Sequence, residues 1–498
     1  APAVAILYTT ANDFVEESAL SCLRQDYPNY ILYLLDDSTT VEHKEKVDRF
    51  AAMNTEKIIV VRRPDRVGFK AGNLNYALTH IATKVKYFAI ADADEILPVD
   101  FLSKLVPIME SDRKCGFVQA NHEANPNAEN KIQQDMAVGI NTHWQWHQPL
   151  RNKYGFVMFL GHGALLRYDC WKIIGGFPDI VSEDLGYAIA VREKGYRGYF
   201  EEEVICYEDF PDSVRSFRIR HMKWTRGTCE FLHRNLIWLL KAKNISWAEK
   251  ADILFPTLNL PLTLVFFLFM INSNLLMPSL FGQSQAMTFV SGGTNWIFPV
   301  TVLDPGFSKI YSWDFFTITM LTFFSPVLCF ILAMRRTPGK LIKFLSFSTA
   351  LYAALSILSS IGVIAYLLTG KAIFLVTGDK DQEARETRHP KLKIIPAIRN
   401  KYRDLVNRSH PDSHMVQFLE ISIGLVFLIA GMKTMQISFF GLCIAFMLLP
   451  VLHYLGWERR VSKVMVHIPF ILIIFGVFLS GLSLFGMQSV FFGYGFHF

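Results

Sequence analysis

The sequence predicts an α/β domain followed by interfacial helices and an α-helical transmembrane bundle. Its 498 residues exceed a typical single domain of about 150 residues. Up to about residue 250 charged and apolar residues are mixed, and after it come apolar runs of about 20 residues, long enough to cross a bilayer core of ~30 Å. We therefore expect a soluble head on an integral, multi-pass membrane protein.

Short apolar runs, rich in β-branched residues, alternate with amphipathic stretches from residue 3 to about 210. The runs lie at 3–9, 30–35, 57–61, 87–92 and 115–119. This alternation predicts a mainly parallel sheet that binds its ligand at the carboxyl ends of the strands. The first run reads as a strand rather than a signal peptide, and its abrupt start leaves open whether native residues precede it.

The second half predicts three kinds of segment. Basic and aromatic residues at 216–250 favour amphipathic interfacial helices between a head at 1–215 and a transmembrane region at 251–498. Five to six apolar segments are expected, at 253–280, 313–334, 342–369, 416–434, 436–456 and 466–486. Both flanks of 342–369 are basic, so we interpret that segment as interfacial or re-entrant, which leaves five crossings.

The charge and cysteine content exclude two classes of partner. The net charge of +6 lies in clusters that flank apolar runs, where the positive-inside rule places them, so we expect no nucleic acid. The seven cysteines show no paired metal spacing, which favours a reduced cytosolic head without zinc.

Three acidic motifs follow predicted strands or open helices. Asp36 and Asp37 follow an apolar run and could bind a base or ribose, or cap a helix. Asp92 and Asp94 end another run on the same side of the chain, as alternation requires, and could hold Mg²⁺ or Mn²⁺ or form a turn.

The third acidic motif is "SED" at 182–184. Ser182 is predicted to cap a helix, and Glu183 and Asp184 fall in the first turn, where carboxylates also favour the helix dipole. One of these acids near a sugar hydroxyl could act as a general base.

A basic, aromatic motif precedes the first apolar run. Arg220, Lys223 and Arg226 are predicted to share one helix face that could clamp a diphosphate, and Trp224 offers a flat surface to a sugar ring. The alternative is a helix that lies on lipid headgroups.

Taken in order, these motifs resemble those of the processive, membrane-integrated family 2 glycosyltransferases, such as the cellulose, hyaluronan and chitin synthases. Asp184 and Arg220 enclose 35 residues (185 to 219), which matches the family spacing between Thr-Glu-Asp and Gln-x-x-Arg-Trp. Further segments are similar to the uridine loop, the Lys-Ala-Gly motif, the acceptor segment and the gating loop of that family: "YTTAND" (8–13), "FKAGNLNYAL" (69–78), "FLGHGALLR" (159–167) and "AIFLVTGDK" (372–380).

The resemblance implies a cytosolic GT-A domain, Rossmann-like in its nucleotide-sugar binding, with a gating loop at 371–415. It implies inverting transfer from a UDP-sugar to a growing β-linked polysaccharide that crosses the bilayer, with Asp184 and Glu183 catalytic and Asp94 and Asp92 on Mg²⁺ or Mn²⁺. Donor-binding residues would be Thr9, Thr10, Asp13, Asp37, Lys70, Asp92, Lys223, Arg226, Thr377 and Lys380. Acceptor-binding residues would be Trp224, His162, Gly163 and Arg220.

Four positions depart from the family pattern: Arg220 replaces Gln, Lys223 replaces Arg, Ser182 replaces Thr, and Asp379 stands at the gating Lys. Lys keeps the charge of Arg but loses its bidentate geometry. Glucose is the expected sugar, while the linkage, accessory subunits and a homo-oligomer stay open. Two alternatives are a transferase that adds one sugar to a lipid carrier and a membrane scaffold with an inactive nucleotide-binding head.

Overall fold

The structure is a computed structural model. It describes residues 1–53, 56–291, 293–303, 327–370, 372–374, 385–386, 410–434 and 437–484. By internal contacts the chain forms two compact units. The head unit contains residues 1–212, 219–260 and 365–407, and the membrane unit contains 213–218, 261–364 and 408–498.

The head unit contains a seven-stranded sheet of order β3-β2-β1-β4-β6-β5-β7. Its strands are β1 (Val4–Thr10), β2 (Tyr30–Asp36), β3 (Ile58–Val61), β4 (Tyr87–Asp92), β5 (Cys115–Ala124), β6 (Ala164–Arg167) and β7 (Arg197–Glu208). The five predicted runs form β1 to β5. The sheet is mainly parallel, as predicted, but β6 pairs antiparallel with both β4 and β5.

Helices follow most of the strands. They are α1 (Glu16–Leu23), α2 (Val41–Ala52), α3 (Phe69–His80), α4 (Phe101–Ser111), α5 (Lys131–Thr142), α6 (Gln148–Tyr154), α7 (Tyr168–Ile174) and α8 (Glu183–Glu193), with a π-helical segment His143–His147 between α5 and α6. Alternate residues of β1 enter two different hydrophobic cores. Val4 and Ile6 pack into one core, and Ala5 and Leu7 pack into the other. Both faces of the sheet are therefore buried, which explains why its strands read as continuous apolar runs.

The parallel register brings polar residues to one edge of the sheet. Thr10 lies beside Asp36 where β1 and β2 end, and Thr9 lies beside Asp92 where β1 and β4 end. Because a one-residue slip would turn every buried side chain to the other face, this alignment is strongly specified.

The predicted interfacial region is one long helix, α9 (Val214–Lys241), followed by α10 (Trp247–Ile271). The first turn and a half of α9 belong to the membrane unit and the rest to the head unit. After α10 come a π-helical segment Asn272–Leu276, α11 (Met277–Phe281) and an antiparallel hairpin of β8 (Gly282–Ser291) and β9 (Thr294–Leu303).

The later elements are α12 (Pro338–Ser348), α13 (Leu355–Thr369), β10 (Ile373–Phe374), β11 (Arg385–Glu386), α14 (His414–Thr434), α15 (Ile437–Leu455), α16 (Arg460–Met465) and α17 (Ile468–Leu484). Within the described residues four helical runs are long and apolar enough to cross a membrane: Trp247–Phe281, Pro338–Thr369, His414–Lys433 and Arg460–Phe478. Phe439–Leu455 is apolar but shorter.

The structure describes one of two further predicted apolar segments in full and the other only in part. The segment 342–369 is part of a continuous helical run of 32 residues, long enough to cross, so its length does not favour the interfacial or re-entrant interpretation. Most of the predicted segment 313–334 lies outside the described residues.

A buried ion pair lies inside the membrane unit. The guanidinium of Arg218 donates to both carboxylate oxygens of Glu420, at 2.9 and 2.8 Å, and to the carbonyl of Pro411 at 2.9 Å. Neither side chain of the pair is exposed to solvent. A second and partly exposed pair, Arg215 with Asp412 at 2.6 Å, lies one helical turn earlier on α9.

Candidate active site

The first predicted donor loop is held by its own side chains. Thr10 Oγ1 donates to Asp13 Oδ1 at 2.8 Å, and the backbone N–H of Ala11 donates to the same oxygen at 2.6 Å. Thr9 Oγ1 donates to Asp92 Oδ1 at 3.0 Å. Burial raises the pKa of Asp13, and its hydrogen bonds to Ala11 and Thr10 partly offset this. The loop thus joins the end of β1 to the end of β4.

Asp37 forms an ion pair with an arginine that the sequence prediction missed. Arg63 donates to both of its carboxylate oxygens, at 3.0 and 2.6 Å, and also to the carbonyls of Val67 and Phe69. Asp36 accepts a single hydrogen bond from Arg62 Nε, at 2.7 Å. The two arginines follow β3 directly, so their position after a strand was a usable signal.

Lys70 connects three parts of the site. It lies in the first turn of α3 and its Nζ bonds Asp92 Oδ1 and donates to the carbonyl of Gly161 at 3.0 Å. A Cβ placed on Gly161 would lie 3.5 Å from Asp184 Oδ2 and 3.7 Å from Lys70 Nζ. Lys70 and Asp184 therefore both lie next to the backbone at Gly161.

The structure corrects the geometry predicted for Asp92 and Asp94. Strand β4 ends at Asp92, and residues 93 and 94 form a turn, so strand alternation does not bring the two carboxylates to one side. We call residues 92–94 the carboxylate turn. Burial would raise the pKa of Asp92, but Lys70 and His162 hold it below its usual value. Asp94 reaches solvent, yet surrounding protein and the charge of Asp92 raise its pKa to about 7.

Glu183 and Asp184, the predicted catalytic residues, open α8. Burial, followed by the charge of Asp184, raises the pKa of Glu183 to about 7, and burial also raises the pKa of Asp184. Ser182 stands at the N-cap position, but its side chain makes no capping hydrogen bond, which corrects the predicted cap. Its backbone carbonyl instead accepts from Gly186 at 3.1 Å.

The motif on α9 divides into two parts. The pKa of Lys223 is lowered mainly by burial, and Glu183 and Asp92 are the charges that oppose this, so Lys223 faces the acids. Arg226 is buried beside Cys229, and burial lowers its pKa to about 10. Arg226 lies three positions after Lys223, about 60° away around the helix, and its side chain is 2% exposed. Its predicted part in a diphosphate clamp with Lys223 stays a prediction.

Trp224 is 45% exposed, and the guanidinium of Arg220 lies 4.8 Å from its ring centroid. Arg220 also lies 4.9 Å from the ring of Phe210. A half-exposed indole held by a cation is an available surface for an apolar sugar face. Thr377 and Lys380 lie outside the described residues.

His162 and Gly163 belong to the loop 161–163, which we call the acceptor loop. Nδ1 of His162 lies 3.2 Å from Glu95 Oε1, and Nε2 lies 3.7 Å from Glu208 Oε2. Burial would lower the pKa of His162, but the charge of Glu95, with Asp92 and Glu208, raises it to about 10. The sequence prediction missed Glu95, since a single acid after Asp-x-Asp looks like part of a turn.

The residues present fit a divalent cation at the carboxylate turn. Asp92 and Asp94 offer hard oxygen donors, and the charge of Asp92 adds to burial in raising the pKa of Asp94, so the two carboxylates interact with each other. Among the described residues, ligand-type atoms of Glu95, His122 and Cys206 also lie within 4.8 Å of one another. There, however, Glu95 and His122 already contact each other at 2.8 Å.

Comparisons with known proteins agree on the class of the head. The model of the glycosyl transferase family group 2 matches residues 87–376. A probable glucomannan 4-beta-mannosyltransferase 11 of Oryza sativa subsp. japonica is 24% identical over 45% of this chain and 41% of its own length. Glucomannan 4-beta-mannosyltransferase 7 of Arabidopsis thaliana is 25% identical over 47% and 44%.

The chain thus spans less than half the length of the curated relatives it matches. Among solved structures, the mannosyltransferase PcManGT from Pyrobaculum calidifontis, in complex with GDP-Man and Mn²⁺, is 23% identical, covering 54% of this chain and 81% of its own, with a TM-score of 0.36.

Proposed function

The chain belongs to the glycosyl transferase family group 2 and its head has a GT-A-like fold, and from this premise we propose that it is an inverting, membrane-embedded polysaccharide synthase. The observation that carries the proposal is that Lys70 bonds Asp92 and the carbonyl of Gly161, next to which Asp184 also lies. Lys223 interacts by charge with Glu183 and Asp92. Cations that face buried carboxylates at the carboxyl edge of the sheet suit a reaction in which a base accepts a proton while a diphosphate departs.

In the proposed reaction an acceptor hydroxyl oxygen attacks the anomeric carbon from the face opposite the nucleotide. The bond from that carbon to the diphosphate oxygen breaks, and the hydroxyl proton passes to the Asp184 carboxylate. Burial beside Glu183 raises the basicity of Asp184, which suits a general base at neutral pH. Lys70 and Lys223 stabilise the charge that develops on the leaving nucleotide.

Asp94 and Asp92 would hold Mg²⁺ or Mn²⁺, which neutralises the diphosphate when bound. Thr9, Thr10, Asp13 and Asp37 are assigned to the nucleoside, with Arg63 orienting the Asp37 carboxylate. Thr377 and Lys380 keep their predicted role of closing over the donor.

The donor sugar is proposed from chemistry shared with the relatives. Their names specify mannosyl transfer, so the glucose assignment gains no support from them, and mannose joins glucose as a candidate. Both sugars reach such enzymes attached to a nucleoside diphosphate. We therefore place a UDP-sugar or a GDP-sugar at the edge formed by β1, β2 and β4.

A polymer is favoured over a single transfer. Trp224 is half-exposed beside Arg220, and the described residues include four helical runs able to cross a membrane. The proposed product leaves the cytosolic head along Trp224 and crosses the bilayer.

The decisive experiment measures nucleotide release by the purified protein in lipid nanodiscs with Mg²⁺ or Mn²⁺. The donors are UDP-glucose, GDP-mannose, UDP-N-acetylglucosamine and UDP-glucuronate, and product size is read in parallel. High-molecular-weight product from one donor supports the synthase and names its sugar. Lipid-linked product of one sugar favours single transfer, and silence with all donors favours the inactive head.

A further inference from the structure

Glu95 is a buried acid that no proposed step uses. It follows Asp94 directly and is 1% exposed. Its Oε2 accepts from the backbone N–H of Asp92 at 3.3 Å and from that of Gly163 at 3.1 Å. Its Oε1 contacts His122 Nε2 at 2.8 Å and lies 3.2 Å from His162 Nδ1. One carboxylate therefore contacts both the carboxylate turn and the acceptor loop.

The fit around this carboxylate is tight on the side of Gly163. That residue has φ +59°, and a Cβ added to it would lie 2.4 Å from Glu95 Oε1 and 2.3 Å from the His122 ring. Gln119 holds the same loop from the sheet, because its side-chain amide donates to the carbonyls of His162 at 2.9 Å and Gly163 at 3.0 Å. The acceptor loop therefore packs directly against Glu95.

A second layer supports the two histidines. The ring of His122 stacks on Trp144 with centroids 4.2 Å apart, and Trp144 Nε1 donates to Glu208 Oε1 at 3.0 Å. Glu208 in turn lies 3.7 Å from His162. Side chains from β5, the π-helical segment and the end of β7 therefore close a ring around Glu95, and a π-helical turn at such a place is common at functional sites.

We propose that Glu95 is a positioning residue for glycosyl transfer, which holds the carboxylate turn and the acceptor loop at a fixed separation. This inference rests on the proposed function. The donor-side acids lie on the carboxylate turn, while Gly161 on the acceptor loop abuts both Asp184 and Lys70. A shift of either segment changes the distance from base to anomeric carbon without removing any group that binds nucleotide. Misplacement of about 1 Å can cost about 10²-fold in rate.

Glu95→Gln tests the idea because it keeps the shape of the side chain. Its amide offers one acceptor oxygen and an NH₂ group, so it cannot accept from all the donors that now meet the carboxylate. We expect kcat to fall about 100-fold, with KM for the donor and the dissociation constant of the nucleoside diphosphate within about threefold of wild type. Amide hydrogen exchange should quicken at residues 161–163.

The matched control is Glu202→Gln, at an exposed position of β7, which should leave every readout unchanged. A purely structural role would lower the melting temperature while kcat per folded molecule stayed at wild type, and that result overturns the proposal. If Glu95→Gln does not fold, Glu95→Asp decides, because it keeps the charge but is one methylene shorter. Wild-type kcat in that variant also overturns the proposal.

Failure of the proposed function is distinguishable, because wild-type protein would then release no nucleotide from any donor. Hydrogen exchange at residues 161–163 still tests whether Glu95 holds the acceptor loop in that case. Unchanged exchange in Glu95→Gln overturns the contact role, and faster exchange supports it.

Discussion

Buried charges are arranged differently in the head unit and in the membrane unit. In the membrane unit Arg218 and Glu420 satisfy each other through two hydrogen bonds, with a third from Arg218 to Pro411. In the head unit Glu183 and Asp184 are adjacent acids whose pKa values are both raised, and the pKa of Asp94 is raised as well. The Arg218–Glu420 pair balances its charge within the protein and leaves only Arg218 Nε without a hydrogen-bond partner. The acids of the head, with raised pKa values, are instead suited to meet a substrate, a proton or a cation.

The largest effect expected is the loss of the proposed base. Asp184→Asn should lower kcat by about 10²–10⁴-fold while leaving the melting temperature unchanged, because the amide cannot accept the proton. Nucleotide release in nanodiscs measures it. Asp169→Asn is the matched control, since Asp169 is an exposed acid in the first turn of α7. Wild-type turnover in a folded Asp184→Asn protein would remove the base assignment.

Removing one partner of the Arg218–Glu420 pair tests the buried charges of the membrane unit. Glu420→Gln leaves Arg218 buried with half of its partner's acceptors and should cost about 3–5 kcal/mol of unfolding free energy. The double variant Arg218→Met with Glu420→Leu should restore most of this, since apolar replacement of a buried pair is often neutral. Denaturant titration in detergent measures both.

The control for that experiment is Asp412→Asn. Its partner Arg215 is partly exposed, so the loss should be about 0–1 kcal/mol. Equal losses for the two pairs would mean that burial does not set their energies.

A substitution at the acceptor loop should have a smaller effect. Gly163→Ala introduces a Cβ that overlaps His122 at a positive φ, and we expect a cost of about 2–4 kcal/mol from strain and overlap together. Gly195→Ala shares the positive φ, at +84°, but meets nothing within 4 Å. It should therefore cost about 1–2 kcal/mol. Thermal unfolding of the two variants separates the cost of the positive φ from the cost of the overlap. Equal costs would show that the acceptor loop is not tightly packed.

The smallest effect is the pH dependence of turnover. A base with a raised pKa is protonated below it and cannot accept a proton, so kcat should rise with pH through the raised pKa of Asp184 and level off above it. Glu183→Gln should move the rise to lower pH, because the neighbouring negative charge is lost. A profile unchanged by that substitution would contradict the coupling of the pair.

The sequence located the parts of the fold that follow a regular pattern. Strands β1 to β5 are apolar because both faces of the sheet are buried. Strand β7 is not predicted, since Glu201, Glu202 and Glu203 interrupt its apolar residues, and β6 is only four residues long. Tertiary pairing, rather than local pattern, makes both of them strands.

Site residues were predictable where a motif supplies their chemistry in adjacent positions. Glu183, Asp184 and Lys223 meet in the structure as expected. Arg63 and Glu95 act through partners 26 and 68 residues away, which no local pattern reports. Arg226 is buried beside Cys229, which helical spacing alone does not report, and its role toward the donor stays a prediction.

The antiparallel strand β6 has a consequence for how the head assembles. It lies between β4 and β5 in the sheet although it follows both along the chain, pairing Ala164 with Ile90 and Gln119. A nascent chain that ends before Gly163 therefore leaves one edge of β4 and both edges of β5 unpaired, because β7 also comes later in the chain, and Glu95 has no Gly163 to contact. Such non-local closure makes folding slow and the intermediate prone to aggregate. Translation through Arg167 should thus precede the cooperative collapse of the central sheet.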